Sequence, residues 1–233
     1  MKHFLILLFT IFTLASCDLT TGSGNIVTET RKTGSFDAIS VGGSFEVEVK
    51  TGDVISVVVE ADDNIIRYIE TKVTGNTLKI NTEDLHNYSD VHMKVYVTAP
   101  LITSIKASAS ADVEALSILN GSGRLTFKAS SSASIKAEVD APEIETDANS
   151  SATITLTGKT KTHKTEASSS ADIKAFGLLS ENATANVSSS ASIEVHASVT
   201  LNARASSSGS IEYKGAATLT KSESSSGSVE KKD

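Results

Sequence analysis

The stretch Ala129-Ser130-Ser131-Ser132-Ala133-Ser134-Ile135 decides the fold, because the chain repeats it. Close copies run from Ala107 to Val113, Ala148 to Ile154, Ala167 to Ile173, Val187 to Ile193, Ala205 to Ile211 and Glu223 to Val229. The aliphatic that closes each copy falls at 113, 135, 154, 173, 193, 211 and 229, at intervals of 22, 19, 19, 20, 18 and 18. A period near 19 is too short for a pair of helices. It suits one coil of a β-solenoid, in which no coil buries its apolar face alone.

The copies also alternate. Leu125, Phe127, Ala129, Ser131, Ala133, Ile135, Ala137 and Val139 point one way, and the intervening Thr, Lys, Ser and Glu residues point the other. Period 2 is the signature of a half-buried strand. The inward row is large at its ends and small at its centre, which predicts a bend near the coil axis. On this reading Ser131, Ser150, Ser169, Ser189 and Ser207 face inward. The expected fold class is all-β: a β-helix of about seven short coils with an N-terminal sheet-rich capping subdomain. At roughly 4.8 Å per coil the coils form a rod section about 30 Å long. A Ser-rich disordered stalk has no reason to keep an inward aliphatic at every repeat.

Residues 1–16 read as a signal peptide. Lys2 is followed by the short apolar run Phe4 to Phe12, and Leu14-Ala15-Ser16 leads into Cys17. This resembles a bacterial lipoprotein signal and implies lipidation of Cys17, with the membrane as partner through that lipid. The expected address is extracytoplasmic and lipid-anchored, at the outer membrane. Cys17 is the single cysteine, so no intramolecular disulfide can form. Without the signal the chain has 20 basic residues against 28 acidic. That excess argues against nucleic acid and against anionic lipid headgroups as main partner.

Residues 17–23 read as a tether, 24–104 as the capping subdomain and 105–230 as the Ser-rich β-helix. In Phe36 to Val49, Phe45 is expected in the place of the anchoring aliphatic. Val54 to Glu60 and Val91 to Thr98 read as strands. Asp62-Asp63-Asn64 is expected to cap a short helical turn, with calcium as a competing reading. Lys221 and Glu223 fall on inward positions, which predicts a frayed last coil.

Several of these stretches are shared with one family. Gly24-Asn25-Ile26, Gly34-Ser35-Phe36-Asp37-Ala38-Ile39, Val57 to Asn64, Tyr68-Ile69-Glu70-Thr71 and Lys94 to Pro100 resemble the "putative auto-transporter adhesin, head GIN domain" family of Bacteroidetes lipoproteins. The resemblance covers about residues 24–215 and implies an all-β fold with a β-helix and a surface-binding role.

No residue pattern assigns catalysis. Among many Ser none sits in a Gly-x-Ser-x-Gly elbow. The outward residues after the anchoring aliphatics, from Glu114 and Lys136 to Glu230, mix both signs, as a solvated face does. His86 and His92 near Asp84 and Asp90 match no metal-ligand spacing, and His163 and His196 are expected at solvated corners. No metal and no cofactor is expected. The candidate binding face is a column of outward hydroxyls, Ser132, Ser151, Ser170, Ser190 and Ser208, one per coil, beside Ser130, Asn149, Ser168, Ser188 and Ser206. Thr is too scarce there for an ice-binding surface. The expected function is non-enzymatic, adhesin-like binding of glycan or protein. The alternatives are a carbohydrate-active enzyme on a β-helix and an envelope accessory protein without a soluble ligand.

Overall fold

The structure, a computed structural model, describes residues 19–83 and 87–233; Cys17, Asp84 and His86 lie outside them. Each coil has one plan: a strand, a Ser-rich corner, a second strand and a second corner. The two 15-residue strands Ser134–Ala148 and Thr153–Ala167 pair in parallel from end to end and bend together at the second corner. The pairing is in register coil after coil, so Ile135, Ile154, Ile173, Ile193, Ile211 and Val229 stand directly above one another. The five isoleucines are at most 1% exposed. The coil length varies at the second corner while this column keeps its register. About seven coils form the solenoid, as the repeat requires.

The opposite inner wall is a second column, Leu125, Ile144, His163, Ala183 and Leu201. Beside it run Phe127, Thr146, Thr165, Ala185 and Ala203. Together these columns make a continuous core, apolar except for His163, Thr146 and Thr165, with nearly every member fully buried.

The capped end is built out of sequence order. The rung formed by Ala38–Gly42 and Glu46–Thr51 pairs with Ser104–Ser108 and Asp112–Ala115 on one side. On its other side it pairs with Thr77–Thr82 and Met93–Ala99. The chain therefore lays one rung, passes outward to close the end, and returns to continue the stack. The outermost pairings are antiparallel: Met93–Ala99 with Ser56–Asp62, Ser56–Asp62 with Ile26–Arg31, and Thr77–Thr82 with Ile69–Thr74. Register puts Val47, not Phe45, opposite Val113. Phe45 is buried at the corner, where its carbonyl accepts from Asp112 N–H as Ala111 carbonyl accepts from Ser134 N–H.

The N-terminal segment is docked. Leu19–Thr21 pairs in parallel with Asn87–Ser89. The carboxylate of Asp62, 2% exposed, accepts from Gly24 N–H and His92 N–H, both at 2.7 Å. Asp63 accepts from Ser23 and Asn25, and Asn64 receives Ser23 N–H and donates to Thr21 carbonyl. Those contacts hold the Asp63 carboxyl below its ordinary value, the Ser23 bond contributing most. The short 3₁₀ turn Ile66–Tyr68 has no side-chain cap. Asp62 and Asp63 thus fasten the entering chain, and capping of a helical turn is not their role.

The last coil is formed and closed by charge. Strands Thr218–Glu223 and Ser228–Lys231 continue both ladders. Lys221 and Glu223 pair at 2.8 Å. Glu223 accepts from Val229 N–H at 2.7 Å and Lys221 donates to Val229 carbonyl at 3.5 Å. The expected fraying gives way to an ion pair that holds the backbone of the final rung and places charge at the open end of the stack.

Candidate binding face

At each Ser-rich corner two consecutive residues adopt positive φ: Ser131 and Ser132 at 53° and 65°, Ser169 and Ser170 at 55° and 60°, and so on to Ser225 and Ser226. Thirteen Ser and Ala109 sit in this region in the stacked corners. The flanking residues close the turn, with Ala133 N–H donating to Ser130 carbonyl at 3.2 Å and Ala171 N–H to Ser168 carbonyl at 3.3 Å. Two left-handed central residues under an i to i+3 bond make a turn of the I′ kind. The turns stack through their central peptides. Ser132, Ser151, Ser170, Ser190 and Ser208 donate N–H to the carbonyls of Ser150, Ser169, Ser189, Ser207 and Ser225, each at 3.0 Å.

This geometry corrects the inward reading of the corner. Ser131, Ser150, Ser169, Ser189 and Ser207 are exposed, like their neighbours Ser132, Ser151, Ser170, Ser190 and Ser208. Period 2 assumes an extended backbone, and a left-handed pair is not extended. Both central side chains therefore project to solvent, while Ala129 and Ala133 on either side stay buried. The corner carries two adjacent columns of hydroxyls, each repeating once per coil at roughly 4.8 Å. Every hydroxyl can donate one bond and accept two.

Next to the corner, the outer face of the preceding strand is a shallow groove of about 410 Å³. One side is the column Ser168, Ser188, Ser206 and Ser224; its floor holds Asp147, Glu166, Asn186, Arg204 and Ser222. Register stacks those floor residues one per coil. Asp147 pairs with Lys128 at 3.4 Å and Glu166 with Lys164 at 3.7 Å. The floor column can be read in the sequence two positions before the first corner Ser, once the copies are aligned.

The remaining candidates are elsewhere. His92 meets Glu60 at 2.8 Å, and Tyr96 donates to the other oxygen of the same carboxylate at 3.3 Å. Among the described residues no three His, Cys, Asp or Glu side chains cluster as a metal ion requires. His163 is not solvated: it is 0% exposed, a member of the inner wall, and its Nε2 lies 3.1 Å from Thr146 Oγ1. Burial alone pushes its pKa down to about 4. His196 is half-buried, with Nδ1 out of contact with solvent. On the outer face of the second strand Lys136 and Glu114 pair across coils at 2.7 Å.

Solved structures share this architecture. A crystal structure of a putative adhesin from Bacteroides fragilis superimposes with a TM-score of 0.83 at 20% identity, over 91% of this chain and 98% of that one. A putative adhesin from Parabacteroides merdae gives 0.76 at 21% identity, over 93% and 100%. A protein from Parabacteroides distasonis, described as a putative lipid binding protein, gives 0.75 at 25% identity, over 93% and 100%. A search of the curated proteins finds no match. The model of the family "Putative auto-transporter adhesin, head GIN domain" matches residues 35–217, which takes in the Gly-Gly-Ser corner, most of the cap and all of the stacked Ser corners but the last, and the chain belongs to that family.

Proposed function

We propose that the protein is a non-enzymatic, lipid-anchored protein of the cell envelope that binds glycan or protein along the hydroxyl corner and its adjoining groove. The observation that carries this reading is the repetition of one solvent-facing pair of Ser hydroxyls in every stacked corner after the first, which has Ala109 beside Ser110. A linear ligand laid along the corner meets the same donors and acceptors at every step, so many weak contacts act together. The family, and the structures of the same fold described as those of putative adhesins, support an envelope role. Cys17 behind its apolar run supports the anchor, and more than one acyl chain would make that anchor stable. The groove carboxylates support binding over hydrolysis. Asp147 and Glu166 are each paired with a lysine, as strand faces in water are, whereas a glycosidase needs one carboxyl held neutral to protonate a leaving group.

The test is the triple substitution Ser151→Gly, Ser170→Gly and Ser190→Gly. Gly accepts positive φ, so the corner keeps its shape and loses three hydroxyls. On a glycan array and in adhesion to host extracellular proteins, binding should fall sharply while the melting curve is preserved. Undiminished binding by the triple variant would remove the corner from the mechanism.

A further inference from the structure

The outer face that carries the groove changes character toward the capped end. Across the strands in register, Lys72 stands opposite Lys79, Lys79 beside Ser40, Ser40 beside Lys106 and Lys106 beside Lys128. Their sequence neighbours Leu78, Ile80, Ile39, Val41, Ile105 and Phe127 are buried, so alternation sends the lysines outward. Lys72, Lys79 and Lys106 are exposed, and none has a carboxylate within ion-pair distance among the described residues. Lys128 closes the row by reaching Asp147 at 3.4 Å. Five strands at roughly 4.8 Å make a lane about 19 Å long. In a chain of net charge −7 this is a concentrated local field of the opposite sign.

The lane is also recessed. One depression of about 370 Å³ is lined by Lys79, Lys106, Ser40, Asn76, Thr77 and Ser104. The next, of about 300 Å³, is lined by Lys106, Lys128, Ser40, Ser108, Ser130 and Asp147 among others. They share Ser40 and Lys106 and so form one trough along the stacking axis. Its walls are hydroxyls and the amides of Asn76 and Asn149; its one carboxylate, Asp147, is at the Lys128 end and pairs with that lysine, and none of the exposed large apolar side chains of the described residues lines it.

We propose that this lane is a binding site for a linear acidic polysaccharide carrying carboxylate or sulfate on its sugar rings. The lysines, spread over about four strand spacings, take anionic groups repeated along a polymer, and the Ser, Thr and Asn side chains between them take ring hydroxyls. A membrane surface is the less suitable occupant, because a trough without exposed apolar residues offers nothing to the acyl boundary. The site is separate from the hydroxyl corner: it needs charge, and the triple Gly substitution leaves it intact.

The test uses the full chain in detergent micelles. The probes are polygalacturonate, dextran sulfate and uncharged dextran of matched length, with phosphatidylglycerol vesicles as a separate arm. Lys79→Gln with Lys106→Gln should weaken binding of the charged polymers by about five- to tenfold. Rising salt should weaken the wild type toward the same level. Lys159→Gln with Lys161→Gln, at the second corner, should leave binding unchanged, and uncharged dextran should not bind. All four lysines are on the surface, so the urea melts should coincide. Binding of neither charged polymer, equal binding by the Lys79/Lys106 variant, or equal binding of uncharged dextran would each overturn the proposal. Lysine-dependent binding of the vesicles without binding of the polymers would overturn it in favour of a lipid surface.

Discussion

His163 makes the stability of this fold depend on pH in a way that can be isolated. The ring occupies a place in the inner wall between Ile144 and Ala183 and is 0% exposed. Thr146 Oγ1 at 3.1 Å is its hydrogen-bond partner, and Nδ1 has none. No carboxylate is among the buried residues of its coil or the two adjoining it, so a protonated ring would carry an uncompensated charge. Burial accordingly lowers its pKa from 6.5 to about 4. The unfolded chain binds the proton first as pH falls. Stability from this group is therefore complete above about pH 6.5, declines between about 6.5 and 4, and is flat below. The interval corresponds to about 3 kcal/mol at 1.36 kcal/mol per pH unit. Surface carboxylates titrate over part of the same range, so the comparison must be with His163→Leu, which keeps them all. Leu matches the apolar column and leaves only the Thr146 hydroxyl without its partner, at a cost of about 1 kcal/mol that does not vary with pH. Urea unfolding of both proteins at pH 7.5, 6, 5 and 4 gives the difference directly. The gap should move by about 3 kcal/mol in favour of Leu as pH falls. A gap that stays constant, or an imidazole that titrates near 6.5 in the folded protein by NMR, would refute the burial argument.

Three further outcomes are expected. Ile173→Ala, in the anchoring column, should cost about 2–5 kcal/mol, and Lys174→Ala, one residue on and exposed, should stay within about 0.5 kcal/mol of wild type; urea melts separate them. Gly158→Ala should cost about 3 kcal/mol or more in the same assay, since φ is +111° and a Cβ would stand 2.0 Å from Val139 carbonyl oxygen, whereas Gly34→Ala, with open space around it, should be near neutral. Cys17→Ala should abolish lipid attachment and leave an unprocessed precursor, as read by mass spectrometry of the N-terminus; a variant that still carries diacylglycerol would end the anchor hypothesis.

Much of the fold is legible because the repeat fixes side-chain parity over long stretches. Val113, Ile135, Ile154, Ile173, Ile193, Ile211 and Val229 can be aligned by eye, and register then follows, since a one-residue slip would turn every one of them outward. The corner was not legible in the same way. Ser in a left-handed conformation looks in sequence like Ser in a strand, and only Gly or Asn would have announced positive φ. His163 was missed for a narrower reason. Leu125, Ile144, His163, Ala183 and Leu201 repeat with the same spacing as the isoleucines, but the column mixes four residue types, so only the isoleucine column draws attention to itself. The groove floor, Asp147 to Ser222, is hidden likewise by its changing charge. The order of rungs at the capped end is beyond local pattern altogether. Alternation says that Ala38–Gly42 and Thr77–Thr82 are strands; it does not say that the later one lies outside the earlier.

The distribution of glycine argues for the meaning of the hydroxyl corner. Gly227 stands where a Cβ would come within 2.4 Å of Ala205 backbone, and Gly158 and Gly215 where it would come within 2.0 and 2.1 Å of a carbonyl oxygen. The chain thus uses Gly where space demands it. At the paired corner positions only φ is unusual, the side chain faces water, and Ser appears at all but Ala109. A left-handed residue other than Gly costs roughly 1–2 kcal/mol, and Gly would carry an entropic cost of roughly 0.5–1 kcal/mol of its own. Backbone energetics alone therefore favour Gly slightly or decide little. Asp tolerates this conformation better than Ser, but stacked once per coil at roughly 4.8 Å it would set like charges against one another along the whole edge. Asn avoids the charge and is equally tolerant, yet it occurs at none of these fourteen positions. Neither conformation nor charge accounts for Ser over Asn. The small, neutral hydroxyl is the property repeated down the column, and a flat edge of such groups suits the neutral, hydroxyl-rich ligand proposed for it, while the lysine lane at the capped end of the neighbouring face is proposed to select by charge.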